Sequence, residues 1–221
     1  MAAAARAANR LPTDVTLVAV SKGHDVEALQ AALDCGLDHI GESYVQEALP
    51  KMRALAANRN VTWHFIGRLQ ANKTRPVAEH FAWVHSIDRL RIAERLSAQR
   101  PYHAPPLNLC LEVNLGLETS KGGVEAAQLL TVARAVAALP RVRLRGLMCV
   151  PPPMSDTERQ RQRFARVREL SESLRAAGIA LDTLSMGMSD DFELAIAEGA
   201  THVRIGTALF GPRDASMSAT T

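Results

Sequence analysis

Short apolar segments alternate with longer amphipathic ones along the whole chain. The short segments have the length and apolar character of buried strands, and we predict eight, at residues 16–21, 39–41, 62–66, 83–86, 107–114, 143–150, 183–185 and 202–205. In the longer segments apolar residues recur at helical spacing, as Val26, Leu29 and Leu33 do. These segments predict helices at residues 26–34, 44–57, 89–99, 126–139 and 156–177.

The regular alternation of strands and helices, without an internal linker, predicts an α/β fold made of one domain. Eight strands favour a single closed (β/α)8 TIM-type barrel over an open doubly wound sheet. The chain has 221 residues, fewer than the roughly 250 typical of this barrel, so its loops must be short. We expect residues 1–221 to form the barrel, with a frayed helix at 1–12 and a flexible tail at 214–221.

Composition agrees with a globular domain, since 47% of the residues are hydrophobic and 22% are charged. No apolar run is long enough to span a bilayer, and the first residues lack the apolar segment of a signal peptide. The cysteines are odd in number, namely Cys35, Cys110 and Cys149. We predict that they are free thiols in a reducing compartment, and hence that the protein is cytoplasmic.

Charge argues against a nucleic-acid partner. The net charge is only +3, and the one basic cluster consists of five arginines between residues 159 and 168. In that segment Phe164, Val167, Leu170 and Leu174 recur at helical spacing, so the arginines lie mostly on the remaining, solvated face of a helix.

In a barrel of this kind functional groups collect at the carboxyl ends of the strands. Lys22 follows the first predicted strand, in phase with Val18 and Val20. It points either inward over the barrel mouth or outward into solvent, and its position alone does not decide between the two. An inward lysine is partly desolvated, which lowers the pKa of the amine and frees it to attack a carbonyl.

The fifth predicted strand alternates in character. Residues 107, 109, 111 and 113 are Leu or Val, whereas the opposite face holds Asn108, Cys110, Glu112 and Asn114. In a barrel the apolar face meets the helices, and inward Glu112 and Asn114 imply a polar network or a ligand near the mouth. A surface strand would show the same alternation.

The last two predicted strands lead into a candidate anion site. Ser189 and Asp190 precede a helix, with Glu193 at the spacing of a capping box to Asp190. Gly206 and Thr207 form a small-residue turn that backbone groups can use to approach a phosphate. Arg204 is in phase with Gly206 and shares its inward face. An ordinary capped helix and a packing glycine remain an alternative interpretation.

Other site patterns are absent from the sequence. It has no Walker loop, no Gly-x-Gly-x-x-Gly and no paired-cysteine zinc pattern. Its histidines lack metal-ligand spacing, so we predict no metal site and assign no chemistry to His64 and His85.

Taken together, these segments resemble the pyridoxal phosphate homeostasis protein family. The resemblance extends over residues 17–213 and rests on many segments in the same order. They are the run ending in Ser-Lys22, Gly-Glu-Ser-Tyr-Val-Gln-Glu from Gly41, Trp-His-Phe-Ile-Gly from Trp63, Ser-Ile-Asp from Ser86, Val-Asn ending at Asn114, Glu118, Lys121-Gly122, Arg-Gly-Leu-Met ending at Met148, Leu-Ser-Met-Gly-Met-Ser-Asp ending at Asp190, and Val-Arg-Ile-Gly-Thr ending at Thr207.

The resemblance implies a fold-type III barrel like the barrel domain of alanine racemase, without that enzyme's second domain, and pyridoxal 5′-phosphate (PLP) as cofactor. It implies that Lys22 forms the Schiff base with PLP and that Arg204 faces the pyridine nitrogen. The remaining implied cofactor-binding residues are the phosphate binders Ser189, Gly206 and Thr207, together with Asn114 and Met148. Two positions depart from the family pattern: Ser43 stands where many members have Asn, and Arg68 where many have Pro.

The resemblance also implies a protein that buffers PLP or delivers it to apoenzymes, without an established catalytic activity. Racemisation needs acid/base groups on both faces of the substrate carbon, and Lys22 supplies one. The chain ends soon after the eighth strand, and its only tyrosines are Tyr44 and Tyr102. We therefore predict a monomeric carrier with no catalytic residues. The alternatives are a weak PLP-dependent amino-acid racemase, and a phosphate-binding barrel enzyme in which Lys22 reacts with a sugar phosphate.

Overall fold

The computed structural model describes residues 1–58, 60–115, 122–152 and 154–212. Within them the strands are β1 (Thr16–Val20), β2 (His39–Glu42), β3 (Thr62–Phe65), β4 (Trp83–Ile87), β5 (Leu107–Asn114), β6 (Val124–Glu125), β7 (Val142–Met148), β8 (Thr183–Ser185) and β9 (His202–Ile205). The helices are α1 (Ala2–Ala7), α2 (Val26–Asp34), α3 (Val45–Ala54), α4 (Thr74–His80), α5 (Leu90–Gln99), α6 (Leu129–Ala137), α7 (Thr157–Ala176), α8 (Phe192–Ala197) and α9 (Thr207–Phe210).

Eight of the described strands close into a parallel barrel, as predicted. Their order around the barrel is β1-β2-β3-β4-β5-β7-β8-β9, and β9 pairs with β1 to close it. The short β6 was not predicted; it pairs only with the last two residues of β5, outside the closed ring. Because every strand is parallel, all the carboxyl ends lie at one end of the barrel, which we call the mouth.

The core lies in two layers, one between the barrel and the helices and one inside the barrel. The apolar face of β5 is buried in the outer layer with helix residues such as Ile92 and Ala133. Cys110, on the other face, packs against Trp83 and Met148 in a separate interior cluster. The inward orientation predicted for the polar face of β5 is therefore confirmed at Cys110.

The helices differ from prediction mainly at short elements. Helix α4 was not predicted because it has only seven residues, with Pro76 in its first turn and few apolar positions. Helix α9 has four residues, too few to show a periodicity. The predicted helix at 126–139 begins as a 3-10 turn, Ala126–Gln128, before α6.

The N-terminal segment, for which a frayed helix was predicted, packs against the rest of the chain. Ala5 of α1 is fully buried in the main core, and α1 contacts α8. The guanidinium of Arg10 donates hydrogen bonds to the carbonyl oxygens of Ile196 and Ala200, at 3.0 and 2.7 Å. An alanine-rich helix gives little hydrophobic signal in the sequence, yet its small side chains can pack closely. The tail predicted to be flexible, 214–221, lies outside the described residues.

Helix α7 has the solvated basic face expected from its sequence. Phe164 and Val167 are fully buried, while Arg161 and Arg168 form ion pairs with Glu198 and with acidic residues one turn away. The pairs with Glu158 and Glu172 join exposed side chains and contribute little stability, whereas the Glu198 side chain is only 8% exposed. Among the described residues, no helix is both long enough and apolar enough to cross a membrane.

Candidate functional site

The mouth of the barrel brings most of the predicted site residues together. Strands β8, β9 and β1 are neighbours, so Ser189, Thr207 and Lys22, which follow them, share one side of the mouth. Gly206 lies beside β1, since a Cβ at that position would be 3.3 Å from the carbonyl oxygen of Val20. Asn114 lies farther round the ring, at the end of β5.

Lys22 lies in a turn two residues beyond β1 and is partly buried. Val18 and Val20, with which it is in phase, face the barrel interior, where both would contact a Cβ placed on Gly41. The backbone on either side of Lys22 is held by hydrogen bonds. Ser21 N–H donates to the carbonyl oxygen of Gly41 at 3.0 Å, and Gly23 N–H donates to Glu47 Oε2 at 2.9 Å.

A buried ion pair behind the barrel wall completes this arrangement. Lys51 Nζ donates to the carbonyl oxygen of Ser21 at 2.8 Å and to Glu42 Oε1 at 2.7 Å, and Ser21 Oγ donates to the same carboxylate oxygen at 2.6 Å. The side chains of Lys51 and Glu42 are 8% and 0% exposed. Burial raises the pKa of Glu42, although Lys51 and Ser21 both act to lower it. We call Ser21, Glu42, Glu47 and Lys51 the Lys22 clamp.

The sequence did not single out Lys51, although a signal was present. Lys51 comes three and six residues after Ala48 and Val45, on the buried face of α3. A lysine on a buried helical face requires a partner, because an unpaired buried charge is strongly unfavourable.

The residues of the candidate anion site lie close together, but the helix cap differs from the one predicted. The N-cap position of α8 is occupied by Asp191, not Asp190, and the Asp191 side chain does not cap the helix. Instead its carboxylate accepts from Met188 N–H at 2.7 Å and from Gln160 Nε2 at 2.8 Å. The predicted capping box between Asp190 and Glu193 is therefore wrong, because Asp191 is used to hold the preceding loop.

That loop carries Ser189 to the start of α9. Gly187 has φ of 94°, and a Cβ there would lie 2.6 Å from Cβ of Ala195, so only glycine fits. Ser189 Oγ accepts from the Ala208 N–H at 3.4 Å. The hydroxyl of Ser189 and the first N–H groups of α9 thus converge beside Gly206 and Thr207, a donor set suited to an anion.

Arg204 lies inside the barrel below these residues and is 5% exposed. Its Nη1 donates to both the carbonyl oxygen and Oγ of Ser185, each at 2.7 Å, and its Nη2 donates to the carbonyl oxygen of Cys149 at 2.8 Å. No carboxylate among the described residues lies within ion-pairing distance. Burial lowers the pKa of Arg204 from its usual range.

The other predicted site residues lie around this centre. Met148 is 1% exposed and packs against Trp83 and Cys110 below the mouth. Asn114 is partly buried. Glu112, one pleat below Asn114, has its pKa raised by burial and by the nearby Asp88. The geometry of Asn114 and Met148 is compatible with a ligand in the mouth, and their cofactor contacts stay a prediction.

The two departures from the family pattern are readily accommodated. Arg68 is exposed. Ser43 meets Gly67 through its backbone, since a Cβ on Gly67 would lie 2.2 Å from the Ser43 carbonyl oxygen. That contact does not depend on the side chain at position 43. Glu118 and Lys121, which contribute to the resemblance, lie outside the described residues.

Two of the buried histidines received no role in the sequence analysis. His64 and His85 are fully buried inside the barrel, and Ser185 joins them to Arg204 through His85. No group of three or more His, Cys, Asp or Glu side chains in the described part of the chain could hold a metal ion.

Comparison with known proteins agrees with this fold. Residues 2–214 match the model of the alanine racemase N-terminal domain family. The pyridoxal phosphate homeostasis protein of Pseudomonas aeruginosa is 56% identical over 211 residues, which are 96% of this chain and 90% of that protein. A solved structure of PipY from Synechococcus elongatus with PLP bound is 40% identical, with a TM-score of 0.85, and covers 94% of this chain and 97% of that one.

A more distant structure supports the fold alone. Alanine racemase from Corynebacterium glutamicum is 18% identical, with a TM-score of 0.71 over 97% of this chain and 60% of that one. The matches extend over nearly the full described chain, including the strands that supply Lys22, Arg204 and Gly206. This chain therefore belongs to the pyridoxal phosphate homeostasis protein family and has the alanine racemase N-terminal barrel.

Proposed function

We propose that this protein binds PLP in the barrel mouth, with the Lys22 amine holding the cofactor aldehyde as a Schiff base, and that it stores and supplies the cofactor. Support comes from the name of its relative in Pseudomonas aeruginosa and from the PLP bound to PipY. The convergence of Lys22 with the anion-type donors at Ser189, Gly206 and Thr207 is the observation on which this proposal depends most.

Arg204 provides a second, independent fit to the cofactor. A buried guanidinium without a carboxylate partner requires acceptors, and here three backbone or hydroxyl oxygens are supplied from one side. A ring nitrogen with a free lone pair in the mouth would be a further acceptor. The donor set therefore suits a ligand that presents a phosphate at one end and an aromatic nitrogen at the other.

Each residue then has a distinct role. Ser189 and the backbone N–H groups near Gly206 would bind the phosphate, and Arg204 would orient the ring through its nitrogen. The Lys22 clamp would fix the backbone that carries the amine. PLP supplies an aldehyde that condenses reversibly with amines and a ring that can withdraw electrons from a bound substrate.

Storage rather than catalysis is favoured by the surroundings of Lys22. A racemase needs a second acid/base group facing it. Tyr102 is 90% exposed and precedes β5, at the opposite end of the barrel, and Tyr44 is 53% exposed at the start of α3. With Arg204 rather than a carboxylate facing it, the ring nitrogen of the cofactor would stay unprotonated, which would weaken electron withdrawal.

The test is an absorbance spectrum of the protein with PLP, followed by borohydride reduction and peptide mapping. Reduction should label Lys22, and Lys22→Ala should lose the Schiff-base band while its circular dichroism stays native. Lys73→Ala, which removes a lysine that follows β3, is the matched control and should keep the band. Labelling of Lys73 or Lys121, or no spectral response to PLP, would contradict the proposal; the latter would favour the sugar-phosphate enzyme.

The racemase alternative predicts exchange of the amino-acid α-proton in deuterated water. We expect no exchange above the rate of free PLP with any common amino acid, and Lys22-dependent exchange would favour the racemase. We also propose that the protein is a cytoplasmic monomer that delivers PLP to apoenzymes. Light scattering and reconstitution of an apoenzyme by the loaded protein would test the oligomeric state and the delivery.

A further inference from the structure

A row of hydrogen-bonded side chains crosses the barrel interior from β2 to β9. His39 Nδ1 lies 2.9 Å from His64 Nε2, His64 Nδ1 lies 2.9 Å from His85 Nε2, and His85 Nδ1 lies 2.7 Å from Ser185 Oγ. Arg204 Nη1 donates to that same oxygen at 2.7 Å. His39 is the one member with access to solvent, its side chain being 31% exposed. We call His39, His64, His85 and Ser185 the histidine relay.

Arg204 determines which atom donates in each hydrogen bond of the relay, because a guanidinium can only donate hydrogen bonds. Ser185 Oγ therefore accepts from Arg204. Among the described residues, His85 Nδ1 is the only acceptor within hydrogen-bond distance of the Ser185 hydroxyl proton. If Ser185 donates to Nδ1, His85 must carry its proton on Nε2.

The same reasoning fixes the direction of the next two hydrogen bonds in the relay. His85 Nε2–H donates to His64 Nδ1, so His64 also carries its proton on Nε2 and donates it to His39 Nδ1. The opposite direction would leave Ser185 accepting twice, with its own proton unpaired in a buried place, which is costly. Burial lowers the pKa of both His64 and His85 well below the usual value, so both are neutral near pH 7, as one donor and one acceptor per ring require.

We propose that the histidine relay positions Arg204. The neutral side chains of the relay, hydrogen-bonded in one direction, anchor the guanidinium from below through Ser185. The guanidinium thereby keeps both its charge and its orientation towards the ring nitrogen of the cofactor. This inference rests on the proposed PLP-binding function. A carboxylate in place of Ser185 would anchor Arg204 as firmly, but it would neutralise the charge that faces the ligand. A chain of neutral groups avoids this.

His202 offers a matched comparison within the same layer of the barrel. It is 8% exposed, and its ring centroid lies 6.1 Å from that of His64 and 6.0 Å from that of His85. Its Nδ1, however, contacts Thr201 Oγ1 at 3.0 Å rather than a relay atom. Replacing His202 therefore disturbs the same packing without cutting the relay.

The first test needs no cofactor. Carbon and nitrogen NMR shifts of the imidazole rings distinguish the two neutral tautomers and the cation. We expect His64 and His85 in the cofactor-free protein to be neutral with the proton on Nε2. A proton on Nδ1 of either ring, or a charged ring at neutral pH, would overturn the proposed direction of the relay.

The second test compares His64→Phe with His202→Phe. Phenylalanine retains the stacking of position 64 on Trp83, where the ring planes differ by 14° and the centroids lie 5.6 Å apart. In the described part of the chain His64 makes no hydrogen bond to Arg204, yet its loss leaves the Nε2–H of His85 without an acceptor. We expect PLP binding to weaken about three- to tenfold in His64→Phe, the value of one hydrogen bond, and less than about twofold in His202→Phe.

The absorbance of bound PLP gives a readout that packing alone would not move. We expect its pH dependence to shift in His64→Phe and to stay unchanged in His202→Phe. Equal effects of the two variants on both affinity and spectrum would refute a positioning role. If wild-type protein fails to bind PLP, the proposed function fails, while the tautomers still test the relay. If His64→Phe does not fold, the tautomers decide the outcome.

A double-variant comparison tests whether the relay acts through Ser185. Ser185→Ala removes the oxygen shared by His85 and Arg204, so cutting the relay again at His64 should add little. We expect PLP affinity in the double variant to fall within about twofold of that in Ser185→Ala. Additive losses would show that His64 acts by another route and would overturn the proposal.

Discussion

Replacing Lys51 by methionine tests the Lys22 clamp directly. The substitution keeps most of the side-chain volume but removes an ammonium that donates to the carbonyl oxygen of Ser21 at 2.8 Å and to Glu42 Oε1 at 2.7 Å. Both side chains of the ion pair are less than one tenth exposed. Removing one partner of a buried pair leaves the other charge uncompensated, so we expect a loss of about 3–5 kcal/mol in the free energy of unfolding at neutral pH.

The loss should depend on pH in a defined direction. Burial already raises the pKa of Glu42 in the folded protein, and without Lys51 it should rise further. A group whose folded pKa lies above its unfolded value favours the folded state as the pH falls. The cost of Lys51→Met should therefore be smaller at about pH 5 than at about pH 7.

Urea denaturation followed by circular dichroism measures these effects. Glu42→Gln in the Lys51→Met background removes the stranded charge and should recover about half of the lost stability or more. Arg75→Met is a matched control, because Arg75 pairs with Glu79 at 3.7 Å on the surface and its side chain is 68% exposed. That variant should lose less than about 1 kcal/mol.

Two results would refute this reasoning. One is a loss in Lys51→Met no larger than in the surface control. The other is a double variant as unstable as the single one, which would show that the Glu42 charge is not the source of the cost. A folded Lys51→Met protein should also bind PLP about tenfold more weakly, because Ser21, which precedes Lys22, loses an anchor worth about one charged hydrogen bond.

Three further predictions concern pH, phosphate and thiols. Burial lowers the pKa of His202 from 6.5 to about 4. When the pH falls below about 6.5, the unfolded chain therefore binds a proton that the folded protein does not bind, and the free energy of unfolding decreases as the pH decreases. We expect this residue alone to cost about 2 kcal/mol between pH 7 and about pH 5 in urea titrations; an identical pH dependence in His202→Phe would contradict the assignment. Ser189→Ala should weaken binding of PLP but not of pyridoxal, as titration of both ligands would show; equal weakening would argue against a phosphate contact. Cys35 is exposed, whereas the other two thiols are buried with pKa raised to about 12, so a thiol reagent should modify one cysteine quickly and the rest only after unfolding; rapid modification of all three would contradict this burial.

Much of the fold follows from local sequence pattern. The eight barrel strands lie where apolar segments of strand length predict them, and α2 spans the predicted residues 26–34. The alternation in β5 divides outward leucines from inward polar residues, because a pleated strand points successive side chains to opposite faces. Lys22, Ser189 and Gly206 were predicted as site residues because each follows a predicted strand, and closing a parallel barrel gathers those positions at one end.

The tertiary structure alone decided which side chains pair. Asp191 rather than Asp190 is the N-cap residue of α8, because the hydrogen bond from the Met188 amide to Asp191 outweighs the local capping pattern. The histidine relay joins residues from four strands whose ring nitrogens meet only through the register and closure of the barrel. The local sequence shows the periodicity of apolar residues, and this periodicity depends only on residues that are near one another along the chain. Hydrogen bonds across a closed barrel depend on distances between strands, and these exist only once the whole sheet has formed.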